Sequence, residues 1–277
     1  MTLAPVFITV APNGARRMKA DHPRLPMTAE EIATCAAECE RAGAAMIHMH
    51  VRDADGRHSL DAGLYKRATE AVRRAAGESL IIQITTETAG RYAPQEQMQA
   101  VRDVRPEAVS IAFRELCPTE KDEPVYGDFL ADCAEASIWV QHILYSPGEV
   151  RRFAELRLRG IVPEGSATAL AVIGAYAGDP PSTPALVDRF IDAAETVSDC
   201  LWSVCAFGRN ERQVLLHAAA HGWSARTGFE NNLLRPDGER AHDNAELVSL
   251  LAASLIERQQ QVLSAAEVRR RHMPDRS

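Results

Sequence analysis

Eight short apolar runs, often rich in β-branched residues, recur along this chain, and segments with the period of a helix lie between them. The runs are VFITVAP near 6–12, AAMIHMHV near 44–51, LIIQITT near 80–86, AVSIAF near 108–113, SIWVQHIL near 137–144, TALAVIGA near 168–175, LWSVCAF near 201–207 and WSARTGF near 223–229. Strands buried on both faces read as continuous apolar stretches, which points to a parallel sheet covered by helices. The intervening segments carry helix punctuation: TAEEIATCAAECERAG opens with Thr28 and Glu31 at capping-box spacing and closes on Gly43. Eight such units in 277 residues predict a single α/β domain, a closed (β/α)8 TIM barrel, over an open doubly wound sheet. No linker or shift in composition divides residues 1–277; about 261–277 reads as a polar C-terminal tail, and its last, basic segment, RRRHMPDRS, as frayed.

The formal net charge of −7 argues against nucleic acid or an anionic membrane as partner, since such proteins concentrate positive charge. An anionic small molecule would need a local basic pocket instead. None of the six cysteines forms a C-x-x-C pair, and Cys35 and Cys39 fall at helical spacing, as small apolar helix residues in a reducing compartment do. The opening MTLAPVFITVAPNGARR reads as a first strand rather than a signal peptide, and no apolar run approaches membrane-spanning length. A cytoplasmic location is the expectation.

The second run places His48 and His50 one residue apart at its end, in AAMIHMHVRD. Side chains alternate along a strand, so both histidines face one way while Ile47, Met49 and Val51 face the other. In a TIM barrel the chemistry lies where strands end and the following loops begin. A third ligand would come from another strand end, and Glu230, just past the eighth run in SARTGFENN, is only one strand away from the first and second in a closed barrel. Two histidines and one carboxylate with an open position form a catalytic zinc set, although the same set suits Fe(II), Co or Mn.

Together, FITVAPNGARRMKADHPRLPMTAEEIA, AGAAMIHMHVRDADGRHSLD, IIQITTETAG, RPEAVSIAF, ARTGFENNLLRPDG and DNAELV resemble the β-keto acid cleavage enzymes of the 3-keto-5-aminohexanoate type, from about residue 6 to about residue 260. The resemblance implies a zinc-dependent TIM barrel, a homotetramer or other homo-oligomer, that converts a β-keto acid and acetyl-CoA into acetoacetate and a new acyl-CoA. It implies His48, His50 and Glu230 as metal ligands and Arg226 as part of the active-site dyad. Thr85 becomes the counterpart of a catalytic hydroxyl on strand three and Ser110 that of a substrate-contacting hydroxyl on strand four, while Asn13 and Arg16, in the loop after strand one, fall at the substrate. An ion at the keto oxygen would stabilise enolate charge by several kcal/mol, and Arg226 could grip a carboxylate bidentately.

Three positions depart from the family pattern. Asn231 stands where the family commonly has an aspartate, and an amide cannot take a proton at neutral pH. Glu87, in TTETAG, and His142, on strand five, are the substitutes that the sequence offers for that base. The glycine-rich loop after strand six is replaced by VIGAYAGDPPSTP. Arg16 aligns with a glutamate that meets an ammonium group, so a substrate with an anionic or neutral polar tail is expected in place of an amino-bearing one. Two other readings stay open: a metal hydrolase, since His-x-His at a barrel strand end also serves amidohydrolases, and a metal-dependent binding protein without turnover. A requirement for acetyl-CoA separates the acyl-transfer reading from the hydrolase, and turnover in the wild type that His48→Ala abolishes excludes the binding protein.

Overall fold

The computed structural model describes residues 3–163, 168–176, 181–197 and 199–273. At its centre is a closed barrel of eight parallel strands: β1 (Ile8–Val10), β2 (Met46–Met49), β3 (Ile81–Thr85), β4 (Ala108–Ala112), β5 (Trp139–Leu144), β6 (Thr168–Ile173), β7 (Leu201–Ala206) and β8 (Ser224–Thr227). Each strand pairs with the next in chain order, and β8 returns to β1 with Thr9 opposite Arg226. All eight apolar runs are therefore barrel strands, as the alternating pattern requires. Around them pack α1 (Ala29–Arg41), α2 (Ala62–Ala76), α3 (Pro94–Val104), α4 (Glu123–Glu135), α5 (Pro147–Leu158), α6 (Pro184–Ala194), α7 (Glu211–Ala220) and α8 (Asn244–Glu257), followed by a shorter α9 (Ala265–His272). Thr28 caps α1 in a full capping box with Glu31. Among the described residues no helix is long and apolar enough to cross a membrane, and all six cysteines are free.

Alternation along the strands sorts the barrel into shells. Val10, Ile47, Met49, Ile82, Ile84, Val109, Ile111, Val140, Leu144, Ala171 and Val204 face the helices and form the main core. The inward residues fall into layers. The bottom layer is apolar, with Phe7, Met46, Ile81, Ala108 and Trp139 packed together. Above it comes a polar layer in which Gln83 Nε2 donates to Gln141 Oε1 (3.2 Å) and Gln141 Nε2 to Ser203 Oγ (3.5 Å). Buried amides of this kind are tolerated because they satisfy one another.

The end of the chain corrects the expectation of a frayed tail. Ser264 and Glu267 form a capping box on α9, and Leu263, Ala265 and Val268 are buried against the bottom layer of the barrel. Arg269 Nε donates to Glu107 Oε1 at 2.6 Å, while the other oxygen of Glu107 accepts from Arg73 and from the Ile82 N–H. The basic composition hid two apolar anchors at helical spacing, and one of the arginines neutralises a buried carboxylate rather than facing water. Residues 274–277 of that tail, and 177–180 within VIGAYAGDPPSTP, lie outside the described residues.

Truncation after Leu263 removes a fully buried valine and one of the two guanidiniums on Glu107. It is expected to cost about 2–4 kcal/mol, or roughly 5–15 °C in the midpoint of a thermal melt. An unchanged midpoint would mean that α9 contributes nothing to closing the barrel floor.

Candidate active site and metal centre

β2 ends at Met49, and the chain then forms a short antiparallel ribbon of Val51–Arg52 with His58–Ser59. His48 points inward from β2, and His50 follows at the rim; both are buried, at 1% and 0% exposure. The Arg-Asp pair after them shapes the neighbouring loops. Arg52 donates to the carbonyls of Gly14, Arg17 (3.0 Å) and Gly56 (3.0 Å), tying the loop after β1 to the ribbon. Asp53 caps the ribbon's turn by accepting from the N–H groups of Asp55 and Arg57.

Glu230 arrives from the opposite end of the sequence through barrel closure. Its N–H donates to the Ala11 carbonyl at 3.0 Å. The two segments approach so closely that a Cβ on Gly228 (φ +132) would lie 2.5 Å from that same carbonyl oxygen. Gly14 (φ +62) leaves room for the glutamate itself, because a Cβ there would be 2.6 Å from Glu230 Cγ. Only glycine combines such backbone angles with such contacts.

These turns bring three ligand atoms together. His48 Nε2 and His50 Nε2 are 3.2 Å apart, and Glu230 Oε2 is 3.5 Å from the first and 3.4 Å from the second. Ligands at about 2.0–2.1 Å around one tetrahedral ion are themselves about 3.3–3.4 Å apart, so the cluster has the spacing of a metal set. The electrostatics agree with the geometry. Burial pushes His48 down to about 4 and His50 to about 3, which keeps both imidazoles neutral with a lone pair to offer. Burial opposes ionisation of Glu230, but the Arg226 guanidinium favours the carboxylate and holds the carboxyl well below the usual range. Arg226 binds Glu230 Oε1 at 3.0 Å, whereas Oε2, on the imidazole side, has no hydrogen-bond partner. A buried anionic oxygen without a donor, beside two neutral lone pairs, fits a divalent cation.

Other groups hold the ligands. His48 Nδ1 lies 2.8 Å from Gln83 Oε1, which is positioned in turn by the Gln141 amide. Asn13 bridges the Pro26 and His50 carbonyls through Nδ2 and accepts from the His50 N–H. His58 Nδ1 is 3.4 Å from His50 Nδ1, and its Nε2 is 2.9 Å from the Glu87 carbonyl oxygen. Burial, reinforced by the Arg52 and Arg91 guanidiniums, pushes His58 down to about 4.

The cluster opens into a cavity of about 740 Å³ whose lining includes Arg16, His48, Thr85, Glu87, Arg226 and Glu230. Its far wall is apolar, with Ile143, Val172, Phe190 and Phe207. At the mouth Arg16 lies over the Tyr176 ring (5.3 Å to its centre) and Arg114 over Tyr145 (3.3 Å). Thr85 Oγ1 accepts from the Glu87 N–H at 3.0 Å, so its own proton is left for a ligand. Glu87 Oε2 is 3.9 Å from His50 Nε2. Burial and the nearby Glu230 and Glu115 carboxylates push Glu87 up to about 7.

One of the residues expected at the substrate faces away from the cavity, and others lie buried beside the histidines. His142 faces the helix layer, where its Nδ1 bonds the Tyr126 hydroxyl at 2.6 Å and its ring packs on Phe153; on β5 it is Gln141 and Ile143 that point inward. Asn13 is wholly buried and its amide is committed to backbone. Ser110 is also buried, with its hydroxyl 3.4 Å from His48 Nδ1. Asn231 is fully buried with both amide atoms unpartnered, and it is outside the lining. Among the residues that sequence reasoning missed, Gln83 carried a signal, being the one polar residue inside the LIIQI run. His58, in a polar turn, carried none.

A closed parallel barrel with two imidazoles and a carboxylate converging at one strand-end cavity defines a TIM-barrel enzyme scaffold with a candidate metal centre. A model of the beta-keto acid cleavage enzyme family matches residues 5–272, and the chain belongs to that family. It is 26% identical over 251 residues to a 3-keto-5-aminohexanoate cleavage enzyme of Fusobacterium nucleatum, covering 88% of both chains. It is 26% identical over 269 residues to a 3-oxoadipate:acetyl-CoA acetyltransferase of Cupriavidus necator, covering 96% of this chain and 93% of the relative. Among solved structures, ObcA in ternary complex with a C4-CoA adduct and oxalate superposes with a TM-score of 0.72 at 18% identity, over 90% of this chain and 67% of that one.

Proposed function

We propose that this protein is a metal-dependent β-keto acid cleavage enzyme that exchanges acyl groups between a β-keto acid and acetyl-CoA, yielding acetoacetate and a new acyl-CoA. The observation that carries the reading is the convergence of His48, His50 and Glu230 at 3.2–3.5 Å on the floor of a cavity that also presents Thr85, Glu87 and Arg226. Relatives named for acetyl-CoA-dependent transfers of 3-oxoadipate and 3,5-dioxohexanoate support the same chemistry.

The three ligands would hold a divalent cation, Zn²⁺ or another ion of that donor preference, whose Lewis acidity at the keto oxygen favours enolate charge. Arg226 is anchored through Nη2 to Glu230 and to Cys205 Sγ and lines the cavity, where its guanidinium meets the substrate carboxylate. Thr85 donates its hydroxyl proton to a substrate oxygen. Glu87 takes the proton from the carbon between the keto and carboxylate groups, its affinity for protons having been raised to near neutrality. Of the two substitutes for the missing aspartate, His142 faces away from the cavity, which leaves Glu87. Arg16 and Arg114 at the mouth favour a substrate whose distal end is anionic or neutral polar.

A panel of β-keto acids assayed with acetyl-CoA is expected to give acetoacetate, and His48→Ala to lower the rate at least about 100-fold; carbonyl hydrolysis without acetyl-CoA would point to a hydrolase instead. Glu87→Gln should lower kcat by about 10²–10⁴ at unchanged metal content, and a wild-type kcat would place the base elsewhere. Arg16→Glu is expected to shift preference from acidic toward amino-bearing keto acids by about tenfold, or about 1.4 kcal/mol; identical preferences would remove Arg16 from substrate selection.

A further inference from the structure

We infer that His58 is a positioning residue that fixes the tautomer of His50 and so sets the affinity of the metal centre. The inference rests on the reading of His48, His50 and Glu230 as metal ligands.

The argument follows the hydrogens along one chain of contacts. His58 Nε2 is 2.9 Å from the Glu87 backbone oxygen. A carbonyl only accepts, so Nε2 carries a proton. A neutral imidazole protonated at Nε2 has a lone pair at Nδ1, and in His58 that atom faces His50 Nδ1 at 3.4 Å. One proton fits between two facing nitrogens, and with His58 as acceptor it belongs to His50. His50 is then protonated at Nδ1 and bare at Nε2, the atom 3.4 Å from Glu230 Oε2. The opposite tautomer would put a hydrogen where the ion must sit.

His48 reaches the same tautomer by a different partner, since its Nδ1 lies 2.8 Å from the acceptor oxygen of Gln83. The two ligands are therefore oriented independently, one by an amide inside the barrel and one by an imidazole on the ribbon. His58 is 2% exposed, and Arg91 Nη1 holds its carbonyl at 2.6 Å. The same side chain thereby couples His50 to the main chain of Glu87, in the loop after the neighbouring strand β3. Groups that orient a metal-bound histidine typically change affinity by about 10–100-fold when removed.

The test is a Zn²⁺ competition titration of metal-stripped full-length protein against a chromophoric chelator. The parent protein carries His217→Ala and His221→Ala, so that the exposed Asp188–His217–His221 cluster on α6 and α7 adds no second binding event. His58→Phe, which offers no acceptor, should weaken binding by about 10–100-fold, and His58→Asn, whose Oδ1 can accept from His50, should recover most of the loss. Binding by His58→Phe within about threefold of the parent, or Asn no better than Phe, would overturn the inference. Nitrogen-15 NMR of histidine-labelled, metal-free wild type requires no substitution and decides the matter if His58→Phe does not fold. A proton on His50 Nδ1 is expected, and one on Nε2 would overturn the assignment. A parent protein that binds no Zn²⁺ removes the metal reading itself, whereas equal binding by parent and His58→Phe removes only the part assigned to His58.

Discussion

The pairing of β8 with β1 is the constraint on which the site depends. It brings a carboxylate from near the end of the chain into a space walled by histidines from its first quarter, and it leaves so little room that glycine is required on both sides of the seam, at Gly14 and Gly228. An ionised carboxylate in that position carries a desolvation cost of several kcal/mol unless it is compensated. Arg226, two residues beyond the start of the same strand, compensates one oxygen. The other oxygen is left without a donor, facing the two imidazoles.

The interior of the barrel is organised around that requirement. Many TIM barrels fill the middle of the cylinder with branched apolar side chains. Here the level below the site is polar, and its amides run from His48 through Gln83 and Gln141 to Ser203. Such a network fixes the direction of each donor and acceptor, because a reversed amide would leave two buried groups unsatisfied. Apolar packing from Phe7, Met46, Ile81 and Trp139 closes the floor beneath it. The upper cavity divides into a charged side around Arg226 and Glu87 and an apolar side around Val172 and Phe190, which suits a ligand with a reactive acidic head and a longer body.

Most of the architecture was legible in the sequence, because burial on both faces leaves a strand no choice but an apolar run, and eight of them at regular intervals admit few arrangements. The convergence of the candidate metal triad was legible for a related reason: the histidine pair has strand spacing, and barrel closure makes the first and last strands neighbours. What failed was the assignment of single polar residues to inside or outside. His142 and Gln141 are adjacent polar residues in one strand, and nothing local says which faces the axis; the choice is set by register with β4, where His142 stands opposite Ile111. Asn13 bonds the Pro26 and His50 backbone, and Ser110 lies 3.4 Å from His48 Nδ1, contacts that no local pattern announces. The composition of the last segment concealed α9, since two apolar anchors among arginines do not outweigh the charge in any averaged reading.

The dependence of the centre on both ends of the chain also bears on how the molecule is made. His48 and His50 leave the ribosome early, but the Gly228 turn and Glu230 follow only after all eight strands have emerged, and Arg269 of α9 later still. Loop closure over so long a stretch contributes to slow folding. Until it occurs a nascent chain exposes the two imidazoles without the carboxylate, so the candidate ligand set is assembled only in a chain that has been synthesised past Glu230.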